Sequence, residues 1–244
     1  MPIKQIVKGS IERLKAVLAP AFDQYSRHLP YIITTAIALV VVVGSINLFV
    51  ELTDGLKEGE LSAIDSQITD YIISFRTPAR TEFFIWLTHV GDIYGYLIIG
   101  GIFIFLSAVV FKSWKYIAQI GIVLILATLS NMMLKRFIDR ARPDIEHLVS
   151  VATLSYPSGH AMSAMAFYGF LIYLLYRFKM NRFLKVAAII FFILLILNIG
   201  ISRVYLGVHF PTDIIAGFIA GFIWVVFCVL AFNLIELFRR DPQT

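Results

Sequence analysis

The chain has 244 residues, of which 59% are hydrophobic and only 15% charged, with a formal net charge of +5. A mean hydropathy of +0.83 leaves too little polar surface to solvate a globule of this length, so a water-soluble enzyme or binding module is excluded and an integral membrane protein is expected. The one cysteine, Cys228, rules out an intrachain disulfide.

In chain order, Ile3, Ile6, Val7, Ile11, Leu14, Val17 and Leu18 recur at helical spacing among Lys4, Lys8, Arg13 and Lys15. Residues 1–30 therefore read as a cytoplasmic amphipathic segment on an anionic membrane surface, or as a partly ordered tail. No short apolar core with a small-residue cleavage site precedes the first span, so no removable signal peptide is expected. A spanning helix needs roughly 20 mostly apolar residues. Six segments approach that length: 31–50, 93–111, 116–134, 159–176, 186–202 and 214–235. The fourth is short and rich in small residues. Between spans one and two, residues 51–92 form the longest polar segment, an outer loop where Leu61, Ile64, Ile68, Tyr71, Ile72 and Phe75 predict short interfacial helices; Phe83–Val90 is apolar but too short to cross. The expected architecture is an all-α bundle of six transmembrane helices in one membrane-embedded domain, residues 1–244.

Basic residues set the orientation. With the N-terminus cytoplasmic, thirteen of the 21 lysines and arginines fall on inner segments, so both termini are expected inside the cell membrane. The outer face then gathers three polar stretches at span ends. The first, after span three, is Lys-Arg-Phe-Ile-Asp-Arg-Ala-Arg-Pro (135–143); the second, before span four, is Pro-Ser-Gly-His (157–160); the third, between spans five and six, runs from Ser202 to Asp213. Ionisable groups at a bundle rim are costly unless they pair or bind something, and so they point to a site.

Spacing assigns chemistry to each stretch. Lys135 and Arg142 are seven residues apart, so a continued helix would put them on one face around one anion, with Pro143 ending that helix. Ser158 is a natural N-cap, Gly159 lets a ligand approach the backbone, and the helix start favours phosphate; a plain turn and cap is the alternative. Pro211 suits a first helical position. Asp213, four residues after His209, is placed to hold one imidazole nitrogen and leave the other bare, or simply to close the loop as a satisfied pair. His89 reads as structural or interfacial. Asp139, Arg140, Asp144 and Glu146 decorate the loop between the first two stretches, either gating a head group or solvating the loop. Gly217 and Gly221 predict close packing of the last span against a neighbour.

Lys135 with six residues before Arg142-Pro143, then Pro157-Ser158-Gly159-His160, then Ser202-Arg203 with five residues before His209 and three before Asp213, together resemble the tripartite signature of the type 2 phosphatidic acid phosphatase superfamily. The resemblance implies hydrolysis of a phosphate ester or anhydride, without metal or cofactor, through a phosphohistidine. By position it makes His209 the nucleophile, Asp213 its orienting partner and His160 the acid for the leaving oxygen. Lys135, Arg142 and Arg203, with Ser158 and Gly159, would hold the phosphoryl oxygens. It also implies a lipid phosphate partner such as phosphatidylglycerol phosphate, phosphatidic acid or undecaprenyl diphosphate, met at the outer face, and no nucleic acid. A lipid phosphotransferase of the same superfamily is the nearest alternative, a membrane transporter or scaffold a more distant one. Oligomeric state is not legible.

Overall fold

The computed structural model describes residues 3–106, 115–151 and 153–240. Two compact units divide the chain at Val41 and Val42. In the first, residues 3–41 are the opening turns of helix α1 (Ile3–Lys57). The amphipathic face expected before Tyr31 falls on side chains outside the described set. The second unit holds the rest of α1 and seven further helices: α2 (Ser62–Ile73), α3 (Pro78–Val90), α4 (Ile93–Leu106), α5 (Lys115–Phe137), α6 (Gly159–Arg177), α7 (Arg182–Tyr205) and α8 (Pro211–Arg240). Among the described residues there is no strand.

Five helices are long and apolar enough to cross a membrane, and α3 with α4 makes a sixth candidate bent by 60° at its break. The expected second span thus differs from a straight helix over 93–111: α4 is described only to Leu106, and the segment read as interfacial, 83–90, is joined to it across Gly91-Asp92. The sharp turn relies on Gly95, where a Cβ would sit 2.3 Å from the Val90 carbonyl oxygen. The turn carries Asp92 to the start of α6.

Helix α6 is the axis of the second unit. It is the least apolar of the spans and the most enclosed, because its neighbours are protein rather than lipid. Ala161, Ala164 and Ala166 are fully buried, and α8 approaches through Gly217 and Gly221. A Cβ on Gly221 would stand 2.5 Å from the Met162 carbonyl oxygen, which is the small-residue packing expected of that pair. By contrast Ile190, Leu194 and Leu197 on α7 face outward, as a lipid-bathed helix requires.

The same inversion shapes α2. Its apolar residues Ile64, Ile68 and Tyr71 are exposed, whereas Asp65 and Thr69, four residues apart, are 0% and 3% exposed. The polar stripe of this helix is the one that faces the protein.

Candidate active site

All three signature stretches meet at the end of the bundle where α5 finishes and α6 and α8 begin. Ser158 caps α6 by accepting from the Ala161 amide at 3.5 Å, and its own amide donates to the Asp213 carbonyl at 3.0 Å, tying the two helix starts together. Tyr156, fully buried, anchors the preceding loop by sharing a 2.9 Å hydrogen bond with Thr53 of α1; burial raises its phenol to about 12.

His209 lies just before α8, in the turn after α7, and is 2% exposed. Its contact with Asp213 is therefore not the one-turn pair of a continuous helix. Asp213 occupies the first turn of α8, and its Oδ2 reaches back to the Phe210 amide at 2.9 Å, capping the helix start as a third-position carboxylate does. The same oxygen accepts from Ser155 Oγ and lies 3.2 Å from His209 Nδ1. A carboxylate at Nδ1 fixes the proton there and leaves Nε2 unprotonated. Burial holds the His209 imidazole down to about 3, so the ring is neutral at ordinary pH. The polar atom beside Nε2 is Arg142 Nη1, at 3.4 Å.

Lys135 and Arg142 converge, but not along a helix. α5 stops at Phe137, and residues 138–142 run as irregular chain, so Pro143 does not end the helix. The cause is Arg140, whose guanidinium is drawn inward to Asp65 and Asp213 and pulls the backbone off the helix axis. Both cations then meet over one short strip: Lys135 Nζ donates to Thr153 Oγ1 at 3.0 Å and to the Leu154 carbonyl at 2.5 Å. Arg142 donates from Nε to the Thr153 carbonyl at 2.8 Å, from Nη2 to the Leu154 carbonyl at 3.3 Å, and from Nη1 to the Val208 carbonyl. Burial lowers the Arg142 guanidinium from its ordinary value. A cavity of about 490 Å³ opens beside the pair, lined also by Arg136 and Arg140.

Arg203, 5% exposed, donates from Nη1 to Thr88 Oγ1 at 2.8 Å, and its buried Nε has no hydrogen-bond partner. An orphaned buried donor costs about 1–3 kcal/mol, and a bound oxyanion would relieve it. His160, second residue of α6, sits with Nε2 2.6 Å from Asp92 Oδ1, a close contact rather than an aligned hydrogen bond. Asp92 also receives His89 Nδ1 at 3.1 Å, so His89 belongs to the rim of this cluster and remains exposed. Gly159 does open the backbone, but to a protein group: a Cβ there would meet Asn131 Oδ1 at 3.0 Å.

Asp65, Asp92 and Ser155 were missed by sequence reasoning, and so was the inward position of Arg140. Asp65 and Thr69 left a trace as a polar stripe within an apolar repeat, and Asp92 as a carboxylate beside a glycine between two apolar segments. Arg140 was read only as a loop charge that gates a head group or solvates the loop, and Ser155 left no trace. Among the described residues no group of three or more histidines, cysteines or carboxylates is arranged to hold a metal ion.

The PAP2 superfamily profile matches residues 116–236, a span that holds every residue of the signature, and a nearly full-length relative is 32% identical. A helical membrane bundle with a histidine–aspartate pair ringed by cations at one end, this protein belongs to the PAP2 superfamily and is a membrane lipid phosphatase. The relative is phosphatidylglycerophosphatase B of Bacillus subtilis, aligned over 202 residues that cover 80% of this chain and 95% of that protein. The crystal structure of a transmembrane PAP2-type phosphatidylglycerolphosphate phosphatase from Bacillus subtilis superposes with a TM-score of 0.71 at 31% identity, covering 79% of this chain and 95% of that one. Aquifex aeolicus LpxE superposes with a TM-score of 0.54 at 25% identity, over 67% and 93%. A lipid A 1-phosphatase of Rhizobium johnstonii is 32% identical over 120 residues, 43% of this chain and 45% of that protein.

Proposed function

We propose that the protein hydrolyses a lipid phosphate monoester or diphosphate through a phosphohistidine on His209, with the site at the outer membrane face and both termini cytoplasmic. The observation that carries this reading is the buried His209–Asp213 pair, with Nδ1 committed to the carboxylate and Nε2 unprotonated, facing Arg142 Nη1 at 3.4 Å. In the first step Nε2 attacks phosphorus, the bond to the leaving oxygen breaks, and His160 gives that oxygen a proton. Water then attacks phosphorus, giving a proton back to His160 as the phosphorus–nitrogen bond breaks, which releases inorganic phosphate and restores both histidines. Phosphoryl transfer asks mainly for positioning and charge stabilisation. Lys135, Arg142 and Arg203 supply the charge, Arg203 with a donor still unused, and the start of α6 adds Ser158 and Gly159. No metal or cofactor enters these steps.

A lipid substrate fits the surroundings. A groove of about 290 Å³ runs beside the same end of α5, lined by Phe49, Met133, Leu134, Phe137 and Trp224. The name of the Bacillus subtilis relative puts phosphatidylglycerol phosphate first among substrates to test, followed by phosphatidic acid and undecaprenyl diphosphate. The test is phosphate release in detergent over that panel with chelator present and no acceptor lipid. Turnover that survives chelation and is blocked by vanadate, which mimics the five-coordinate transition state, is the expected result. Turnover that requires an acceptor lipid would shift the reading to a phosphotransferase, and turnover lost to chelator and restored by a divalent ion would overturn the mechanism.

A further inference from the structure

Residues 51–92 lie before the family match, which starts at residue 116, yet they send a buried carboxylate into the site. Asp65, on α2, is 0% exposed and accepts three hydrogen bonds there. The Thr212 amide donates to its Oδ1 at 3.0 Å, Thr212 Oγ1 donates to its Oδ2 at 2.5 Å, and Arg140 Nη2 donates to its Oδ2 at 2.6 Å. The other arm of the same guanidinium, Nη1, donates to Asp213 Oδ1 at 2.6 Å and to Thr212 Oγ1 at 2.8 Å. The guanidinium plane rests 4.2 Å over the Phe210 ring, next in sequence to His209. The Arg140 carbonyl also accepts the Ser155 amide at 3.0 Å, and Ser155 Oγ is itself a donor to Asp213 Oδ2.

We propose that Arg140 is a positioning residue for the phosphorylated histidine: its fork holds Asp213 by the oxygen that does not face His209, and Asp65 holds the fork. This rests on His209 being the nucleophile. The division of labour between the two carboxylate oxygens is its basis. Oδ2 of Asp213 serves His209, Ser155 and the Phe210 amide; Oδ1 serves Arg140 and sets the rotation of the carboxylate. A guanidinium suits the task because its rigid fork spans two carboxylates at once, which the single ammonium of lysine does not. Asp65 also takes the amide of the second residue of α8, so α2 both fixes the start of the helix that carries Asp213 and sets the angle of the arginine that grips it. The segment between the first two spans is thereby part of the catalytic apparatus, supplied from outside the signature.

The test is a double-mutant cycle on kcat, with KM, monodispersity and melting midpoint measured for each variant and His209→Ala run alongside. A misplacement of order 1 Å costs about 10²-fold, so Arg140→Gln should lower kcat about 100-fold with KM within about threefold of wild type. Asp65→Asn should lower it about 10-fold. Because the two act as one unit, the double variant should lose about 100-fold, not about 1000-fold. Arg140→Lys keeps the charge without the fork, and should recover part of the loss at unchanged KM; it carries the test if Arg140→Gln fails to fold. A multiplicative double variant, a loss confined to KM, or an Arg140→Lys variant with wild-type kcat overturns the proposal. An inactive His209→Ala beside any of those outcomes sinks the relay alone, whereas full turnover of His209→Ala sinks the nucleophile on which it rests.

Discussion

Gly217→Ala tests whether the site depends on how closely α6 and α8 meet. The added Cβ would stand 2.7 Å from the Ser158 carbonyl oxygen, 2.9 Å from the Ala161 Cβ and 3.1 Å from the Met162 amide nitrogen. These atoms are the cap and first turn of α6, fixed by backbone hydrogen bonds, so no flexible side chain end is there to swing away. Ordinary contact begins at 3.4 Å, so the helices must part by about 0.7 Å. The bond they share, from the Ser158 amide to the Asp213 carbonyl, is 3.0 Å long and would stretch to about 3.7 Å, outside hydrogen-bond range. Overpacking of this kind costs about 1–3 kcal/mol. The parting also separates His160, on α6, from His209 and Asp213, at the start of α8. A shift of that size should lower kcat by about 10- to 100-fold. The assay is kcat and melting midpoint in detergent beside Gly121→Ala, whose Cβ meets nothing within 4 Å. Alanine is the better helix former by about 1 kcal/mol, so that control should melt no lower than wild type and keep its activity. A Gly217→Ala enzyme with wild-type kcat and melting midpoint would refute the claim that this contact sets the site.

The two histidines should separate by leaving group. His209→Ala should abolish turnover and phosphoenzyme on every substrate, while His160→Ala, which removes a proton donor typically contributing about 10²–10⁴-fold, should recover much of its rate on an activated aryl phosphate; equal losses on both substrates, with chemistry limiting, would sink that division. Burial places the folded His209 at about 3, below the ordinary 6.5 of an exposed ring, so the unfolded chain takes up the proton first and stability falls as pH drops from 6.5 toward 3. The wild-type melting midpoint should therefore fall more steeply over that window than that of His209→Gln, and parallel curves would contradict the buried neutral ring. Replacing Ser150 with cysteine in a Cys228→Ser background should give a thiol that a membrane-impermeant reagent labels in intact cells, and labelling only after permeabilisation would reverse the orientation.

The membrane class, the all-helical fold and the family were legible in one dimension because each depends on neighbours along the chain. A span is a run of apolar residues matched to bilayer thickness, and a helix cap such as Ser158 or Pro211 acts within one turn of its own position. Tertiary structure alone decided how those parts are held. Arg140 lies 75 residues from Asp65 and 73 from Asp213, and Ser155 lies 58 from Asp213, so no local pattern encodes their meeting. The sequence placed Lys135 and Arg142 on one continued helix; they converge instead over Thr153 and Leu154, because burying the Arg140 fork between two carboxylates outweighs one more helical turn. In a membrane the usual inside-outside rule also inverts. On α2 Ile64, Ile68 and Tyr71 face outward while Asp65 is buried, so a reading that looks for buried apolar faces passes over Asp65, and only the packed fold shows where it points.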